Sequence, residues 1–190
     1  MATSLDVAAY ILRTNAGSDD CLRAKSLQKL VYYAQAWSMV WDGQPLFMEP
    51  IEAWRDGPVV RRLYSAHWRQ YAVSTIPGGD ANALTDEQKA ILDSVIAFYG
   101  GFSCEELVER THREMPWLQA RGDLPYGTHS SAEITPASIR SYYTRRSVLG
   151  EAAPHRPLAR IVEADSDEVR DETQTQAKVW NETLEWLASR

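Results

Sequence analysis

Residues 24–41 read AKSLQKLVYYAQAWSMVW, and this stretch decides the fold. The three- and four-residue spacing of a single helix face is met by Leu27, Leu30, Ala34 and Trp37. Further apolar residues occupy much of the opposite face, so the polar side chains form only a narrow stripe at Lys25, Gln28, Lys29 and Gln35. A helix that is apolar on most sides is buried by its neighbours. We therefore predict a central helix wrapped by others.

Several further helix starts are marked by capping residues. Ser4 precedes an amphipathic stretch, and Thr135-Pro136 combines a capping threonine with a proline suited to the first helical turn. Thr85 with Gln88 and Ser103 with Glu106 have the spacing of capping boxes. Together these segments predict a compact array of helices.

The middle of the chain is broken by prolines and glycines. Residues 46–54 mix apolar side chains with Pro50 and predict a short edge strand or extended segment. The proline of Asp56-Gly57-Pro58 suits the first position of a helix through residue 68, and the stretch from Thr111 to Trp117 is expected to break at Pro116. The predicted fold class is mainly α: a compact multi-helix single domain with a short β-hairpin or edge-strand element.

Composition and charge narrow the function classes. Of the 190 residues, 44% are hydrophobic, which supplies enough apolar surface for a core without metal or disulfides. The net charge of −6 disfavours nucleic acid as a partner, because affinity for phosphates depends on cations. The nearest approach to a basic, aromatic nucleic-acid patch is Arg140, Arg145 and Arg146 around Tyr142 and Tyr143.

The two cysteines and the hydropathy pattern bear on the compartment. Cys21 and Cys104 are too few for a disulfide framework, and reduced thiols are expected. Residues 1–13 lack the basic start and apolar run of a signal peptide, and eighteen apolar residues never run together. These features predict a cytoplasmic protein with no membrane partner.

A composition shift divides the chain into residues 1–149 and 150–190. The second part carries five basic and nine acidic residues, a net charge of −4. Its first residues, 151–157, read as a linker, and an amphipathic helix follows that includes Trp180, Leu184 and Leu187. We expect this helix to dock on the body of the chain, on a second copy or on a partner, because Trp180 would otherwise be exposed.

Catalytic and metal-binding patterns are weak. His112 lies two helical turns after Cys104, which leaves open a small hydrolase that uses both side chains. The spacing matches no zinc motif, and neighbouring carboxylates such as Glu105 and Glu106 diverge around a helix. We therefore expect no enzyme activity, no metal and no cofactor.

Residues 54–61 are the best interface candidate in the first part. They combine Trp54, Arg55, Asp56 and Arg61 around a tight turn. Tryptophan and arginine are typical anchors of protein interfaces, although tryptophan is also a common core residue. The predicted partner-binding residues are these four together with Trp180, Leu184 and Leu187.

Four blocks in this order resemble a known family: residues 27–37, 43–47, 51–60 and 63–64, followed by similar residues between 107 and 143. The resemblance is to the Panacea domain, also called the SocA-like or phage-associated GepA-like family, and it covers roughly residues 5–145. The motif residues that we expect to be structural are Leu27, Lys29, Leu30, Tyr32, Trp37, Gly57, Pro58, His112, Pro116 and Trp117.

The resemblance implies a bacterial or prophage antitoxin. Such a protein neutralises a toxin encoded beside it, often an inhibitor of translation, by direct protein binding. Some relatives are instead adaptors that deliver the toxin to a protease, which leaves that role open here. Neither role requires an active site, and the sequence leaves the toxin and the oligomeric state of this chain open.

Overall fold

The computed structural model describes residues 2–15, 22–125 and 127–157. These residues form seven α-helices: α1 (Ser4–Asn15), α2 (Ala24–Trp41), α3 (Arg61–Ala66), α4 (Asp86–Tyr99), α5 (Cys104–His112), α6 (Met115–Arg121) and α7 (Pro136–Val148). Four short strands complete them: β1 (Leu22–Arg23), β2 (Ile51–Trp54), β3 (Gly57–Val60) and β4 (Ala72–Val73). The predicted fold, mainly α with a short β-hairpin, is confirmed.

Helix α2 is the centre of the core, as its sequence predicts. It packs against α1, α4, α5, α7 and β3. Tyr32 and Tyr33 are fully buried, and Trp37 is 1% exposed. The Trp37 indole donates a hydrogen bond of 3.2 Å to the hydroxyl of Tyr99 on α4, which satisfies the one polar atom of a core tryptophan.

The polar stripe of α2 is mostly buried. Gln28, Lys29 and Gln35 are each less than 5% exposed. Gln35 accepts a bond from the backbone N–H of Leu46 at 2.8 Å and donates one to the carbonyl of Phe47 at 2.9 Å. Because buried polar groups require partners, these side chains supply hydrogen bonds to segments that have no regular structure of their own.

The β-hairpin corrects one prediction from the sequence. Pro58 was expected to open a helix, but it lies in β3 opposite Ala53 of β2, and α3 begins only at Arg61. Gln28 explains the difference, because it hydrogen-bonds both the N–H of Val60, at 2.9 Å, and the carbonyl of the same residue, at 3.5 Å. Contacts from α2 therefore stabilise an extended segment that local proline chemistry alone would allow to be helical.

Pro116 corrects a second prediction. The chain does break near it, but the break falls between His112 and Met115, and Pro116 lies in the first turn of α6. The missing N–H of proline costs little there, because the first N–H groups of a helix have no intrahelical partner. The capping boxes at Thr85 and Ser103 are confirmed at α4 and α5.

The chain divides into two units, residues 1–157 and 158–190. At the end of the first unit, Arg156 donates a bond of 2.7 Å to the carbonyl of Trp41. The predicted helix with Trp180, Leu184 and Leu187 lies outside the described residues, and the division at residue 149 stays a prediction. In the described ranges, no helix combines the length and apolar character that crossing a membrane requires.

Candidate functional site

A groove of about 830 Å³ opens beside the first half of α2. Its walls come from α2, the β2–β3 hairpin, α3 with the loop that follows it, and α5. The pairing of β1 with β4 brings Arg23 opposite Ala72, and Ala24 N–H donates to the carbonyl of Tyr71 at 2.9 Å. This pairing places Arg23 and Tyr71 next to each other in the lining of the groove.

The hairpin turn forms one wall of the groove. Trp54, Arg55 and Asp56, three of the predicted partner-binding residues, line it. Arg61 is not among the lining residues; it forms two 2.8 Å bonds to the carboxylate of Glu52, and its guanidinium lies 5.7 Å from the Trp54 ring. The structure therefore brings three of the four residues of this cluster into one surface, with Arg61 supporting Trp54 from outside.

Trp54 is held in place by three contacts. Its indole N–H donates to Glu52 Oε2 at 2.7 Å, and its carbonyl accepts from the indole of Trp117 at 2.9 Å. The Tyr64 ring meets it edge-on, with the ring centroids 4.7 Å apart. A tryptophan fixed in this way presents its remaining exposed face at little further entropic cost.

The Lys29 side chain contacts Gly57 and Pro58, two other residues of the family motif. Its Nζ donates to the Pro58 carbonyl at 2.9 Å, and the side chain is 1% exposed. Gly57 has a φ of +97°, and a Cβ there would lie 2.8 Å from Lys29 Nζ. Burial lowers the pKa of the Lys29 ammonium group to about 7, against the opposing effect of the Asp56 carboxylate. The lysine thus clamps the turn that carries Trp54, Arg55 and Asp56.

Cys104 and His112 both line the groove, at the two ends of α5. Their separation of eight residues puts the two backbones about 12 Å apart along the helix axis, which does not favour a direct thiol–imidazole bond. The His112 ring stacks on Trp117 with centroids 4.2 Å apart. Burial lowers the pKa of His112, and the charge of Lys29 adds to this effect. Within the described part of the chain, no three His, Cys, Asp or Glu side chains form a metal-binding group.

A buried carboxylate, Glu114, lies outside the lining of the groove. Glu114 accepts hydrogen bonds from the hydroxyls of Tyr32 at 3.1 Å and Tyr143 at 2.7 Å, and Arg146 lies 3.9 Å away. Burial raises the pKa of Glu114 to about 7, although these three neighbours act in the opposite direction. Tyr143 and Arg146 therefore belong to this buried network, so they are not available to the basic, aromatic patch that the sequence suggested for nucleic acid.

The fold and the groove define a helical domain with an aromatic, charged surface site supported by buried polar side chains. A family model described as "Antitoxin SocA-like, Panacea domain" matches residues 27–118, just under half of the chain. Residues 27–118 are therefore similar to the SocA-like Panacea domain, and the resemblance stated from the sequence is confirmed over this range. No curated protein and no solved structure matches the chain.

The match bears directly on the groove. Most of the lining residues fall within 27–118, including Lys29, Trp54 and His112. The description of the matching family model names an antitoxin, which is the role that the resemblance implied.

Proposed function

We propose that this chain is an antitoxin that neutralises a toxin encoded nearby by binding it directly, and that the groove is part of the toxin-binding surface. The observation that carries the proposal is the position of Trp54, Arg55 and Asp56 on the groove wall, inside the segment that matches the antitoxin family. The proposed mechanism is steric: the bound antitoxin covers the toxin surface that acts on its target.

The construction of the hairpin suits this mechanism. Its turn is fixed by Lys29 from α2 and by the hydrogen bond of Trp117 to Trp54, so little freedom is lost when a partner binds. A rigid aromatic residue flanked by charged groups is the usual composition of an interface hot spot.

The groove alone is too small for a tight protein complex. Nanomolar binding corresponds to about −12 kcal/mol, and stable interfaces bury on the order of 1,600 Å². Two exposed aromatic residues add to the surface: Tyr71 in the lining is 75% exposed, and Trp68, outside the lining, is 57% exposed. We include Trp180, Leu184 and Leu187 in the proposed toxin-binding residues on their sequence pattern alone.

Co-expression with the product of the adjacent reading frame tests the proposal. Cell growth, co-purification and the amount of the neighbouring protein are measured together. Restored growth with a stable complex is the expected result. Restored growth with protease-dependent loss of the neighbour would replace occlusion by the adaptor mechanism. A toxic neighbour that this chain neither binds nor neutralises would overturn the proposal.

A further inference from the structure

The charge of the groove differs in sign from that of the chain. Among the described residues that line the groove, four besides the buried Lys29 are cationic and three are carboxylates, whereas the whole chain has a net charge of −6. The four cations are Arg23, Lys25, Arg55 and Arg69, and the carboxylates are Asp56, Glu105 and Glu109. A partner that approaches the groove therefore meets local positive charge on an acidic protein.

The exposed cations are held loosely. Lys25 Nζ lies 2.8 Å and Arg55 Nε 3.3 Å from the same Asp56 carboxylate, and the two side chains are 58% and 63% exposed. One carboxylate thus faces two cations. Exposed ion pairs contribute about 0–1 kcal/mol each, so an incoming carboxylate can join or replace them at little cost.

A second exposed ion pair in the lining of the groove joins Arg23 to Glu105. Arg23, whose side chain is 46% exposed, lies 2.6 Å from Glu105, and its guanidinium is 5.7 Å from the ring of Tyr71. Glu109 on the same helix is paired with Arg113, which is not among the lining residues, so its charge is compensated from outside. Arg69 has a left-handed φ of 62°, and its guanidinium lies 5.8 Å from the Trp68 ring. A non-glycine residue in this conformation is uncommon and concentrates at functional surfaces.

The lining of the groove also includes apolar and aromatic groups, among them Trp54, Val59 and Tyr64. A volume of about 830 Å³ lies within the range of sites that enclose several side chains or a small ligand. The groove therefore combines apolar and aromatic side chains with exposed cations.

We infer that the groove binds an acidic segment of the partner toxin, with an apolar or aromatic side chain on Trp54 and Tyr64 and carboxylates on Lys25, Arg55 and Arg23. This inference rests on the proposed function and specifies the chemistry of the partner. Complementary charge raises the association rate constant, and repulsion between like charges disfavours partners with a basic surface.

Charge reversal on the hairpin side tests the inference, with the purified product of the adjacent reading frame as the probe. The variant Lys25→Glu with Arg55→Glu is compared with Arg140→Glu and Arg145→Glu, the same charge change on two exposed residues of α7. We expect the Kd to rise about tenfold or more for the groove variant at about 0.1 M salt and to change little for the α7 variant. The difference shrinks at about 0.5 M salt, because exposed charges are screened.

A carbodiimide, which joins an amine to a carboxylate, gives a second readout. In the complex, Lys25 is expected to form an amide with an aspartate or glutamate of the partner, in addition to the internal link to Asp56. The variant Lys25→Arg retains the charge and is expected to bind normally without forming either link.

The outcomes separate the inference from the proposed function. Equal Kd values for the groove variant and the wild type, or tighter binding by the groove variant, would each overturn the acidic-segment inference while leaving the complex itself established. Absence of any complex with the wild-type chain would overturn both.

Discussion

The substitution Lys29→Met removes a buried ammonium group and keeps an unbranched side chain of similar length. The pKa of this group is about 7 in the folded chain, against an ordinary value of 10.5. The unfolded chain therefore binds more protons than the folded chain between these two values, and the free energy of unfolding rises with pH across this window. Below pH 7 both states carry the proton, and the contribution of Lys29 no longer changes.

The size of this effect follows from the shift. One proton bound only by the unfolded state changes the free energy of unfolding by about 1.4 kcal/mol per pH unit, which gives roughly 2 to 3 kcal/mol between pH 7 and pH 9. The variant loses the hydrogen bond to the Pro58 carbonyl, which lowers its stability by an amount that does not depend on pH. We therefore expect its unfolding free energy to lack the wild-type rise.

Urea unfolding at about pH 7, 8 and 9, followed by tryptophan fluorescence, measures this difference. Other groups that titrate in the window are present in both proteins and cancel in the comparison. Parallel curves for the wild type and Lys29→Met would refute the conclusion that Lys29 is buried and destabilised as a cation.

Three further predictions concern single substitutions. Between pH 4.5 and 7 the folded state retains the Glu114 proton that the unfolded state loses, so Glu114 lowers the free energy of unfolding by about 3 kcal/mol as the pH rises through this range. Glu114→Gln should abolish this fall. Urea unfolding across the range measures the difference, and an unchanged fall in the variant would contradict the prediction. Gly57→Ala should lower the unfolding free energy by about 2 kcal/mol or more, since its φ is +97° and the added Cβ would lie 2.6 Å from Thr111 Oγ1. The control Gly101→Ala, where a Cβ meets nothing within 4 Å, should change the unfolding free energy little. Equal decreases in the two variants would contradict the close packing inferred at Gly57. Cys104→Ser should leave growth rescue intact, whereas complete loss of rescue with an unchanged Tm would favour the hydrolase alternative.

The helices were predictable because their signals are local. The capping boxes at Thr85 and Ser103 and the apolar face of α2 depend on residues within a few positions of each other. The two errors have different causes. At Pro58, contacts from Gln28 stabilise an extended segment that the proline alone would allow to be helical, and at Pro116 the first turn of a helix accommodates proline.

The candidate site was predictable only in part. Composition indicated the hairpin residues Trp54, Arg55 and Asp56, because they are adjacent in the sequence. The lining of the groove also includes Arg23, Tyr71 and Glu105, which come from separate segments of the chain. Their spacing in the sequence does not predict that they meet. The burial of Lys29 could not be predicted from the sequence either, because the carbonyl that it binds lies 29 residues away.

The most direct test of the account is the Kd between the purified product of the adjacent reading frame and three forms of this chain: wild type, Trp54→Ala and Leu149→Ala. Leu149 is 61% exposed and lies just after α7, outside the lining of the groove, so its truncation controls for the loss of an exposed apolar side chain. If the groove binds the toxin, Trp54→Ala raises the Kd about thirtyfold or more, as expected for a hot-spot tryptophan, and its Tm shows a folded chain. Leu149→Ala keeps a Kd near the wild-type value. Equal Kd values for all three forms would contradict a toxin-binding role for the groove.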